Sequence, residues 1–181
     1  MTPLLITASD LTKNSILGGN IDPQKYVHVI KEAQIFVVEP ILGTKLYKKL
    51  LTDHEADTLA GDYLTIVEDY IKPILIYAVA AEFILTHSYN ISNGGVYKSS
   101  PDNSEPVSKS EVDFLVQEQH NKSDAYIKRL KKYLCTVSIP EYIQLQENDY
   151  DLYPDKTMHY TGGWKLDGNY KPNGFLKPNE M

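Results

Sequence analysis

Cysteine is almost absent from this chain. Cys135 is the only one in 181 residues, which excludes both an internal disulfide framework and a cysteine zinc site. A lone cysteine near a helix end is expected to act as a small buried apolar group. Long apolar runs are missing as well. The most apolar stretch, ILIYAVAAEFIL at 74–85, is twelve residues long and contains Glu82, whereas crossing a bilayer takes about twenty. Positive charge is in the minority, with 18 Lys and Arg against 24 Asp and Glu and a formal net charge of −6. That balance argues against a protein whose main work is gripping nucleic acid phosphates, although an acidic surface suits the lining of a passage through which DNA must slide without sticking. The opening MTPLLITASDLTKN has no basic region followed by an apolar stretch and a cleavage site, so no secretory signal is expected and a cytosol-like compartment, or a particle assembled there, is implied.

What is present is enough for one domain. A hydrophobic content of 42% is near the globular norm, and the length suits a single core. The periodicity is helical. Residues 4–7 read as a short strand or an extended lead-in, and Thr7 followed by Asp10 resembles the start of a brief helix. Asp22 offers an N-cap oxygen and Pro23 fits a first helical position; Tyr26, Val29, Ile30, Ala33, Phe36 and Val37 then follow at three- and four-residue spacing as one buried stripe. A second helix is expected from Pro40 to Leu51; Gly43 weakens it by up to ~1 kcal/mol relative to alanine, so a packing reason, such as close approach of another helix, is expected there. A third runs from about Asp62 to Tyr89 with a kink or break at Pro73; its second half is apolar almost all round, as in the central helix of a bundle. The segment 90–107, NISNGGVYKSSPDNSEPV, loses all pattern and reads as a mobile loop. Ser108 and Glu111 form a capping-box spacing, after which Val112, Leu115, Val116, Tyr126, Ile127, Leu130, Tyr133 and Leu134 trace a long helix interrupted by Gln119 and Ser123. A short helix is expected at 140–147. The fold class is therefore all-α: a small helical bundle with a long kinked central helix over 1–147, a flexible loop at 90–107, and an extended C-terminal arm at 148–181.

No catalytic signature emerges. His28, His54, His87, His120 and His159 lie far apart, without the His-x-x-x-His or His-x-Glu spacing that sets two ligands on one metal. Gly18-Gly19 and Gly94-Gly95 lack the Lys-Ser or Lys-Thr of a phosphate loop and are explained by turns. Asp149, Asp151 and Asp155 lack the glycine and terminal glutamate of a calcium loop and read as a solvated acidic patch. Glu82 admits three readings: an exposed helix edge, a paired charge, or a functional carboxylate. The basic run Lys128, Arg129, Lys131, Lys132 reads as a solvated face near a helix C-terminus, with contact to DNA or an acidic partner as the alternative. No catalytic, cofactor-binding or metal residue is assigned and no cofactor is expected.

The arm is the most informative stretch. It carries Tyr150, Tyr153, Tyr160, Trp164, Tyr170 and Phe175, interrupted by Pro154, Pro172 and Pro178 and by four glycines. A disordered tail of ordinary composition is poor in aromatics, so these six rings are assigned as interface residues. Fully extended, the arm could span roughly 110 Å at ~3.3 Å per residue.

The stretch NSILGGNIDPQKYVHVIKEAQIFVVEPILGTKLYKKLL resembles the opening helices of head-tail connector, or adaptor, proteins of tailed bacteriophages, in particular those of Bacteroidetes and crAss-like phages. The Gly18-Gly19-Asn20 loop, the Asp22-capped helix and the Pro40-Ile41-Leu42-Gly43 turn followed by Leu46-Tyr47 carry it, together with the central apolar helix and the long helix ending in an aromatic-leucine pair; the arm is not covered. The resemblance implies a non-enzymatic virion protein of the neck. It would form a homo-oligomeric ring of about twelve copies beneath the portal, joined to portal and tail or neck proteins, with DNA passing through without specific binding and no membrane involved. Two other readings stay open: a small carboxylate-dependent hydrolase using the aromatic arm as a sugar platform, and a soluble regulatory binding protein whose arm captures one partner.

Overall fold

The structure, a computed structural model, describes residues 3–18, 22–92, 95–98, 108–142 and 152–154. It is an all-α bundle with one short hairpin attached. Leu5 and Ile6 of the extended lead-in are buried in the core. Helix α1 (Ala8–Asn14) then starts at a capping box in which Thr7 and Asp10 satisfy each other's backbone N–H groups. Helix α2 (Gln24–Ala33) follows Asp22, whose carboxylate accepts from the Gln24 N–H at 3.0 Å. It passes without a break through a π turn (Gln34–Val38) into α3 (Glu39–Leu42). After Gly43 comes α4 (Thr44–Glu55), then α5 (Gly61–Thr65), a second π turn (Ile66–Ile71) and α6 (Lys72–Ser88). Strands β1 (Tyr89–Ser92) and β2 (Gly95–Lys98) form an antiparallel hairpin, and α7 (Lys109–Leu134) returns across the bundle from its Ser108–Glu111 capping box.

Helix α6 is the axis. Ile74, Leu75, Val79, Ala80 and Ala81 are wholly inaccessible, and Ile76, Ala78 and Phe83 nearly so, matching its apolar circumference. It packs chiefly against α7 and α2, with α1 and the first π turn also touching it. Tyr26 of α2 reaches Phe83 of α6 with ring centroids 4.7 Å apart.

Two expected helix boundaries fall elsewhere. Neither Pro40 nor Pro73 starts or breaks a helix; each follows a π turn by two residues. The N–H of Glu39 bonds the Gln34 carbonyl and that of Lys72 bonds the Val67 carbonyl, both five residues back. A proline lacks the N–H for an i−4 bond and its ring collides with the i−4 carbonyl. Widening the preceding turn by one residue disposes of both problems without ending the helix. The break comes instead at Gly43, whose φ of 77° an L side chain adopts only with strain.

The π turn also corrects the buried stripe. It rotates the chain after Ala33, so that Gln34 and Val38 enter the core while Phe36 is left 75% exposed. Gln34 is used fully there: its Oε1 accepts from Leu5 N at 2.8 Å, and its Nε2 donates to Pro3 O at 3.1 Å and to Tyr47 Oη at 3.4 Å. His54 Nε2 lies 3.1 Å from Leu4 O. The N-terminal lead-in is thus pinned by side chains of the first π turn and α4.

Three further expectations are revised. Gln119 and Ser123 do not interrupt the α7 stripe but sit on its buried side, Ser123 donating to Ile74 O at 3.3 Å, while Leu115 is 41% exposed. Part of the patternless segment at 90–107 is the β hairpin. Its antiparallel register runs from Tyr89 opposite Lys98 to Ser92 opposite Gly95. Cys135, at the end of α7, is exposed rather than buried. Of the helix expected at 140–147, a turn over 140–141 is described and the rest lies outside the described residues.

Candidate functional site

The arm is rooted on the bundle at Gly43. Ending α3 there leaves the first N–H groups of α4 without helical partners. Thr44 N donates to Leu152 O at 3.0 Å, and Leu152 N donates to Thr44 Oγ1, also at 3.0 Å. The same hydroxyl donates to Glu39 Oε1 at 2.8 Å. The arm therefore acts as a backbone cap on α4, held by a threonine that is 6% exposed. Gly43 is required twice over: besides its positive φ, a Cβ there would stand 2.7 Å from Pro154 Cδ and 3.1 Å from Leu152 O. The close approach expected at Gly43 exists, but it is made by the arm and not by another helix. The chain just before the arm is tied as well, since Tyr63 Oη of α5 donates to Glu141 Oε2 at 2.7 Å. That bond to a carboxylate, helped by burial and by the negative charge itself, pushes the Tyr63 phenol up to about 12.

Of the six rings assigned to the interface, Tyr153 is in the described part and is 37% exposed beside Leu152 at 53%. Tyr150, Tyr160, Trp164, Tyr170 and Phe175 lie outside the described residues, as do Asp149, Asp151, Asp155 and His159.

A groove opens a short way along the same continuous helix. It has a volume of about 470 Å³ and is formed by rows from α2 with the first π turn, α6 and α7. Val29, Ala33, Ala78 and Ile127 supply apolar surface, and Phe36 stands at its side; Glu32, Glu82, His120 and Asp124 bring polar groups from all three helices. Glu32, Glu82, His120 and Asp124 are solvent-exposed, so Glu82 stands on an exposed edge of its helix. The rows repeat at three and four residues within each helix, yet nothing in the sequence brings the three helices together, and its spacing assigns Phe36 to the buried stripe.

On another face, α7 meets α6 and the second π turn through stacked tyrosines. Tyr77 lies on Tyr126 with centroids 6.0 Å apart, and Tyr70 on Tyr133 at 5.2 Å. The Arg129 guanidinium sits 5.1 Å from the Tyr126 ring and 5.9 Å from that of Tyr70. Part of the basic run is thus engaged in cation–π contacts, with the Arg129 side chain, itself exposed, laid over the Tyr126 and Tyr70 rings. His28 is exposed and His54 is taken up by the lead-in. Among the described residues, no three His, Cys, Asp or Glu side chains gather as metal ligands, and no helix is long and apolar enough to cross a membrane.

The chain belongs to DUF6712, a family of unknown function, which matches residues 38–151. That span takes in the Gly43–Thr44 seat, α6 and α7, and stops one residue before Leu152. No curated protein and no solved structure matches the chain.

Proposed function

We propose that this protein is a structural subunit of the neck of a tailed bacteriophage: a head-tail connector that forms a ring beneath the portal, extends the DNA passage and uses its C-terminal arm as a fastening. The observation that carries this reading is the rooted arm. Leu152 and Pro154 are fixed on Gly43 and Thr44, so the aromatic chain that follows starts from a defined point on a helical body. Such a body with an aromatic strap fits a part that must join copies of itself and unlike neighbours. The net charge of −6 suits a passage that DNA traverses without sticking, and the resemblance of the opening helices to phage connectors gives the placement in the virion neck, after assembly in the host cytoplasm.

The test is electron microscopy and mass measurement of the purified protein, alone and mixed with the portal protein encoded by the same genome. Closed rings of about twelve copies, formed alone at high concentration or on the portal, are expected. A protein that stays monomeric at every concentration and ignores the portal would overturn the reading.

A further inference from the structure

The groove between α2, α6 and α7 combines an apolar floor with an acidic edge, and the chain carries a segment of the complementary kind. Beyond Pro154 there are four lysines against three acidic side chains, Asp155, Asp167 and Glu180, within a chain of net charge −6. Three of those lysines, Lys165, Lys171 and Lys177, recur every six residues, each next to an apolar or aromatic neighbour: Trp164, Tyr170 and Leu176. A ring beside an ammonium is what a groove floored by Val29, Ala33, Ala78 and Ile127 and edged by Glu32, Glu82 and Asp124 would hold. The ring would displace water from apolar surface, and the ammonium would face three carboxylates supplied by three different helices.

Reach selects the copy. Pro154 is seated at Gly43, seven residues beyond Phe36, which is about 10 Å along a helix at 1.5 Å per residue. The ten residues from Pro154 to Trp164 span up to ~33 Å, so the tether brings the ring to its own groove at high effective concentration. We infer that in the free subunit the groove between α2, α6 and α7 binds the Trp164–Lys165 pair of the chain's own arm, covering the exposed Phe36 until a partner takes the arm away. This rests on reading the arm as a binding segment, and does not depend on the neck placement.

Trp164 is the only tryptophan, so its fluorescence reports on this contact alone. In the monomeric full-length protein, its emission should be shifted to the blue and its quenching by acrylamide reduced several-fold relative to a free peptide of residues 155–181, independently of protein concentration. Reversing the edge charges with Glu32→Lys, Glu82→Lys and Asp124→Lys together, or removing the side wall with Phe36→Ser, should return quenching toward the peptide value. All four positions are exposed, and circular dichroism would verify the unchanged fold. Lys165→Glu in the charge-reversed background should restore the shielding. Quenching equal to that of the peptide, shielding that ignores all of these variants, or shielding that appears only as the protein oligomerises would each overturn the inference. Ring formation on the portal is scored separately, so failure of either reading leaves the other standing.

Discussion

At Tyr26 the ring is fully buried against Phe83, but its hydroxyl has no hydrogen-bond partner among the described residues, and burial pushes the phenol's pKa up. A buried polar group without a partner costs about 1–3 kcal/mol. Tyr26→Phe is therefore expected to raise the urea midpoint, by about 1 kcal/mol in unfolding free energy; a clear drop would show that the hydroxyl has a partner after all. Gly43 works in the opposite direction. Its φ of 77° and the 2.7 Å approach of Pro154 Cδ to a built Cβ mean that Gly43→Ala must both strain the backbone and displace the arm. A positive φ with ψ of 154° is a conformation essentially confined to glycine and costs another residue about 1–3 kcal/mol, so a loss of that size or more is expected in chemical denaturation, along with faster proteolysis between 142 and 152. An alanine variant with wild-type stability and protease resistance would contradict the seat. Neither effect is visible in residue type alone: a tyrosine on a helical stripe and a glycine between helices each allow several environments.

Among the elements, the helices α1, α6 and α7 were legible because their signals are local: Thr7 and Ser108 as caps, and an apolar circumference on α6. The end of α4 was not, since the helix continues past the change of composition at Leu51 to Glu55. The π turns were not. A proline is compatible with a break, a kink or a widened turn, and the choice depends on what the rotated side chains meet; Gln34 meets Leu5 and Pro3 of the lead-in and Tyr47 of α4. The segment after α7 is held to α5 by the Tyr63–Glu141 bond, which gives the fold a measurable pH dependence. The Tyr63 phenol is raised from 10.0 to about 12, so the protonated form is favoured by folding. Its contribution is fully present below pH 10 and is lost as pH rises from 10 through 12. Stability measured across that window should fall less steeply in Tyr63→Phe than in the wild type. Parallel curves for the two proteins would mean that the bond adds nothing.

Taken whole, the molecule is a helical body with the root of an arm clamped to it, and the clamp is separable from the rest of the arm. A chain ending at 154 keeps Leu152 on Thr44, while one ending at 147 loses it together with the cap on α4. The shorter chain should be less stable by about 1 kcal/mol, the usual worth of a helix cap, as read from thermal or urea unfolding; equal stability would mean that the root is held by nothing of consequence. The sequence by itself determined that the chain is an all-α bundle around an apolar axis with an aromatic, proline-broken arm, because periodicity, caps and composition act over a few residues and are written in order along the chain. Only the tertiary structure decided that Phe36 faces outward, that Gln34 is the pin of the lead-in, that Arg129 is laid over two tyrosine rings, and that the arm begins at Gly43. Each of these depends on groups brought together from distant parts of the chain, such as Thr44 and Leu152, 108 positions apart, and the free energy of such a contact is set by packing and by satisfying buried backbone groups, which no local pattern encodes.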